Sequence, residues 1–104
     1  MVATCPSRTL HIATWHGPVA VTVLEEQGRP VRVLLQGLPH DIAPEGEAIA
    51  RLITLLLQGT DAVQALERVV EALSGLGRFC PPARPALPHA LAQALQVYLQ
   101  ERVG

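Results

Sequence analysis

The stretch Pro44 to Gly59, PEGEAIARLITLLLQG, constrains the fold of this chain more than any other. Ile49, Leu52, Ile53, Leu56 and Leu57 recur at helical spacing and predict one apolar face. Glu47, Arg51, Thr54 and Gln58 fall on the opposite face. Pro44 suits the first turn, where its missing N–H has no intrahelical partner. Glu45 and Glu47 set negative charge at the positive end of the helix dipole. Gly59 is expected to close the helix in the left-handed conformation. No other segment holds as many large aliphatic side chains, so this helix is predicted to be the central element on which the rest packs.

Upstream, the pattern changes to period two. Arg8 to Thr14 puts Leu10 and Ile12 on one side and Thr9, His11 and Ala13 on the other. Gly17-Pro18 breaks this run. Val19 to Glu25 alternates again with Val19, Val21 and Val23 inward, and Gln27-Gly28 turns the chain into a third β-branched run, Pro30 to Leu35. Short strands on tight turns predict an antiparallel meander.

Downstream, Thr60 or Asp61 is placed to cap a second helix, with Asp61 and Gln64 at capping-box spacing. Its apolar face is Ala62, Leu66, Val69, Val70 and Leu73, and it ends in Ser74-Gly75 to Gly77. Residues 78–88 are too rich in proline for a regular helix. Pro88 opens a third helix with Leu91, Leu95, Tyr98 and Leu99 on one side and Gln93, Gln96 and Gln100 on the other. The predicted fold is α+β: a three-stranded antiparallel β-meander followed by three helices packed on one face of the sheet. It is read as a single domain over 1–104, with 1–7 a loose arm and 78–88 a proline-rich loop.

Composition narrows the function classes. Only Trp15, Phe79 and Tyr98 are aromatic, so the core must be aliphatic. The net charge of −1 supplies no basic field for a phosphate backbone, which argues against nucleic-acid binding. No apolar run is long enough to span a bilayer, and MVATCPSRT lacks the apolar region of a signal peptide. A soluble, cytoplasmic protein is the expectation. Two cysteines make no disulfide framework; in a reducing compartment they are thiols or metal ligands.

The element order has a geometric consequence. In a meander, the turn between strands 1 and 2 and the loop after strand 3 lie at the same sheet edge. The first helix leaves from that edge, and a short link turns the second helix back towards it. His16, His40, Asp41, Cys80 and His89 are therefore expected at one end, with Cys5 at the other, roughly 20 Å away.

Arg8 to Val23 (RTLHIATWHGPVAVTV), Gly28 to Leu35 (GRPVRVLL), Glu47 to Leu57 (EAIARLITLLL), Arg78 to Pro81 (RFCP) and Leu87 to Leu95 (LPHALAQAL) together resemble the TSCPD domain. That domain commonly forms the C-terminal extension of adenosylcobalamin-dependent ribonucleotide reductases and also occurs free-standing. The resemblance implies a pattern of four cysteines that bind a metal, zinc in the family. Their positions correspond here to His16, to His40 or Asp41, to Cys80, and to Leu87, which cannot bind metal; His89 replaces the aspartate of the family signature. His16, His40, Cys80 and His89 are accordingly the candidate zinc ligands, with Asp41 in reserve. Imidazole and thiolate together suit zinc. The alternative is that these are polar loop residues without an ion and that Cys80 is a small buried hydrophobe.

The reductase barrel is missing from this chain, so its radical chemistry does not carry over, and no catalytic residue is assigned. The resemblance implies a non-catalytic accessory module acting on a protein partner, in the setting of nucleotide-metabolism machinery. Two other classes stand beside it: a small α+β nucleic-acid platform, and a metal or thiol enzyme built on Cys80 with His16 or His89. His11 reads as an exposed strand residue, Trp15 as a cover over the open core end, and Cys5 as an inert thiol. Two open strand edges and a high aliphatic content point to a homodimer.

Overall fold

A computed structural model describes residues 7–14, 17–59, 61–76 and 86–103. Three strands, β1 (Ser7–Thr14), β2 (Gly17–Glu26) and β3 (Arg29–Gln36), precede three helices, α1 (Ala43–Leu57), α2 (Ala62–Leu73) and α3 (Leu87–Val103). The sheet is antiparallel in the order β1-β2-β3. The predicted class and order therefore hold. The first run ends before Gly17 as expected, but Gly17 and Pro18 already belong to β2, opposite Thr14 and Ala13. Ser7, assigned to the arm, begins β1.

Gln27 and Gly28 join β2 to β3 with φ of 55° and 78°. This two-residue left-handed turn matches the twist of its flanking strands. Val19, Val21, Val23 and Val33 are buried on the inward face, and Leu10, Ile12 and Leu35 pack at its rim. The outward face carries Thr9, whose hydroxyl lies 3.0 Å from that of its cross-strand partner Thr22.

α2 and α3 present their predicted faces. Asp61, rather than Thr60, caps α2: its Oδ1 accepts from the Gln64 amide at 3.0 Å. Ala62, Leu66, Val69 and Val70 are buried, and so are Leu91, Leu95, Tyr98 and Leu99 of α3. α3 packs on β1 and α2, and α1 packs on β3.

α1 departs from expectation in its rotation. Gly46, Ala50, Ile53 and Leu57 are buried, whereas Leu52, Leu55 and Leu56 are 61 %, 63 % and 56 % exposed. Leu52 and Leu56 were expected inward. Thr54, expected on the wet face, is half-buried against β3. Its hydroxyl accepts from the Val33 amide at 3.0 Å and donates to the Ala50 carbonyl at 2.9 Å. α1 thus lies along the β3 edge and occupies part of it, so that edge is not open as the sequence suggested. At the start of α1, Gly46 permits a close approach to the loop after β3 and to α3: a Cβ there would run into Leu38 and stand 3.3 Å from Leu87 Cδ2. Gly59 is not left-handed; α1 is capped by Gln58, whose amide donates to the Leu55 carbonyl, and the Gly59 amide donates to the Leu56 carbonyl.

Thr54→Val keeps the shape of the side chain but leaves the Val33 N–H without its acceptor. It is expected to cost about 1–3 kcal/mol in urea unfolding, with Thr54→Ser near wild type. Equal midpoints for the valine and serine variants would show that water replaces the bond.

Candidate functional site

The end of the molecule expected to gather the candidate ligands is built by three element termini. His40 and Asp41 lie exposed in the turn before α1. Close contact among Gly46, Leu38 and Leu87 brings the start of α1 beside the start of α3. The end of α2 is tied to the same place by two hydrogen bonds. The Gly75 amide donates to His89 Nδ1 at 2.8 Å, and the His89 amide donates to the Leu76 carbonyl at 3.1 Å. Gly75 has a φ of +88°, a conformation that costs glycine little and aims its N–H away from the helix it ends.

His89 therefore fastens two helix termini. It uses an otherwise unsatisfied first-turn amide of α3 and an amide just past α2. The hydrogen bond also assigns the ring. With Nδ1 accepting, the neutral imidazole carries its proton on Nε2. Neither nitrogen then offers a free lone pair. For His89 to ligate a metal through Nε2, the proton must move to Nδ1 and the Gly75 bond must break.

Leu87 occupies the position at which a fourth thiolate was expected to be missing. It is 4 % exposed and packed in the interior. Where a ligand would stand, the chain has a core side chain. His16 and Cys80 lie outside the described residues, as do Trp15 and Cys5. Among the described residues no group of three or more His, Cys, Asp or Glu is arranged to hold a metal ion. His40, Asp41 and His89 alone do not make a fitting donor set, because His89 is engaged.

Two features escaped the sequence reading. Tyr98, fully buried in α3, donates its hydroxyl to the Glu25 carboxylate at the far end of β2. The residue types gave no hint of this pairing across 73 positions. The second feature is the ridge of Leu52, Leu55 and Leu56. On one side of it runs a groove lined by Val31, Leu34, Leu55, Arg51 and Gln58; on the other, a groove between Leu56 and α2 lined by Ala65 and Arg68. An i, i+3, i+4 spacing signals an apolar stripe, but not whether the stripe faces inward. The Glu47–Arg51 pair, at 2.6 Å, is exposed beside the ridge and contributes only about 0.3–0.5 kcal/mol. His11 is exposed on β1, as expected.

No helix among the described residues is long and apolar enough to cross a membrane. A family model described as the TSCPD domain matches residues 3–99. No curated protein and no solved structure matches the chain.

Proposed function

Because the chain belongs to the TSCPD domain family, we propose that it is a non-catalytic accessory module that acts by binding a protein of the nucleotide-metabolism machinery. One observation carries the reading: three leucines of α1 stand more than half exposed in a continuous ridge between two grooves. A contiguous exposed apolar patch of this kind is a mark of an interaction site. Single exposed leucines are ordinary; three at i, i+3, i+4 on one helix form a surface that a partner can cover. The near-neutral charge supports a protein partner over nucleic acid.

The test uses the barrel of an adenosylcobalamin-dependent reductase lacking its own extension, titrated with the full chain. Binding is expected. Leu52→Glu with Leu55→Glu should weaken it about a hundredfold, since each buried leucine contributes roughly 1.5–3 kcal/mol. The double variant should fold normally, because both side chains already face water. Absence of binding, or equal binding by the double variant, would defeat the proposal.

The reading extends to a structural zinc held by His16, His40 and Cys80, with His89 as fourth donor and Asp41 in reserve. The family pattern and the convergence of α1, α2 and α3 termini support it. The Gly75–His89 bond sets its condition: zinc at His89 must displace that bond. Zinc bound by the purified protein is therefore expected to shift the Gly75 amide resonance and to exchange the protonated ring nitrogen of His89. Metal-free protein that ignores chelators, with the Gly75 bond intact, would remove zinc from the proposal.

A further inference from the structure

The pairing of the sheet fixes which backbone groups of β1 face outward. Both the N–H and the C=O of Val33 lie by the Thr54 hydroxyl, so they point away from β2. Alternation then turns Leu34 towards β2, and its partner Thr22 towards β3. Val21 and Val23 consequently face β1, where they meet Leu10 and Arg8. On β1, the groups of Arg8, Leu10 and Ile12 belong to the ladder with β2. Those of Ser7, Thr9, His11 and Ala13 face the open edge, and among the described residues these backbone groups have no partner.

Apart from Arg8 on the inward face, the edge lacks the features that usually protect one. It is eight residues long, holds no proline, glycine or bulge, and carries one charged residue, Arg8, which is drawn aside to Glu101 of α3. β3 is different, because α1 lies along it.

We propose that two copies of this chain pair antiparallel through β1, about a two-fold axis at Leu10, to form one continuous six-stranded sheet. This register pairs every outward residue: Ser7 with Ala13 of the second copy, and Thr9 with His11 of the second copy, each twice by symmetry. Opposed residues lie on the same face, so the helices of both copies sit on the same side. Leu10 then meets Leu10, and Arg8 meets Ile12, so no like charges oppose one another. Leu10 and Ile12, only half-buried in one copy, gain cover. An antiparallel edge centred on its own midpoint complements itself, which selects a second copy as the occupant. With α1 along β3, assembly closes at two copies. The proposal rests on sheet geometry alone and is independent of the leucine ridge and of zinc.

The full chain should sediment as a dimer. His11→Pro removes an outward N–H and leaves the β1–β2 ladder intact; the variant should be monomeric with an unchanged circular dichroism spectrum. Leu10→Cys should form an intermolecular disulfide on mild oxidation, because a non-hydrogen-bonded pair sets its Cα atoms about 4.5 Å apart. The wild-type chain, with only Cys5 and Cys80, is the control. A monomeric wild-type protein, a Leu10→Cys chain that gains no cross-link, or a dimer dissociated by Leu52→Glu but not by His11→Pro would overturn the proposal.

Discussion

Tyr98→Ala is expected to lower the free energy of unfolding by about 3–5 kcal/mol. The side chain is fully buried and is the largest so enclosed. It sits in one cluster with Val21 and Val23 of β2, Ile53 and Leu57 of α1, and Leu66 of α2. Truncation leaves a cavity that sheet and helices, held by their own hydrogen bonds, close only in part. It also removes the donor to Glu25. A domain of this size has a total stability of roughly 5–15 kcal/mol, so the loss takes a large share of it. Tyr98→Phe separates the two effects. It keeps the ring and is expected to cost about 1–2 kcal/mol, because the half-exposed Glu25 carboxylate recovers water. Urea titrations with a common m-value make the comparison. If the alanine and phenylalanine midpoints coincide, the ring does not organise the core.

The second large effect lies within α1. Leu57→Ala is expected to cost about 2–5 kcal/mol, whereas Leu56→Ala should stay within about 0.5 kcal/mol of wild type. The two leucines are adjacent and chemically identical. Leu57 is 1 % exposed and Leu56 is 56 % exposed. The difference reports the rotation of the helix directly, because neighbouring residues stand about 100° apart around its axis. Comparable losses at both positions would mean that α1 is turned as the leucine pattern alone suggested, with Leu56 inward. The leucine ridge would then vanish, and the proposed partner site with it.

The strands and the last two helices were legible because each has one kind of apolar side. In β2, Val19, Val21 and Val23 alternate with less apolar neighbours, so only one register buries them. In α2, four buried positions share one side and Gln64, Glu67, Arg68 and Glu71 the other. α1 was legible as a helix but not in its orientation. It has more leucines than one face can bury, so periodicity left two faces in competition. Small and polar residues decided between them: Gly46 lets the start of α1 close on Leu38 and Leu87, and Thr54 reaches the edge groups of Val33. A hydropathy pattern gives a glycine or a threonine little weight in that choice. The approach of the α1, α2 and α3 termini to one another was legible in the order of the elements. The role of His89 was not legible, since a histidine in a first helical turn reads alike as ligand or as clamp until its acceptor nitrogen is seen to meet Gly75.

The order of elements, the meander and the aliphatic core follow from the residues themselves, because periodicity and turn chemistry are local and act wherever those residues stand. Which leucines of α1 meet water, which backbone groups of β1 remain unpaired and what the ring of His89 holds were settled only when distant segments came together. Each depends on a neighbour many positions away, and pairwise contact over that separation leaves no periodic trace in the chain.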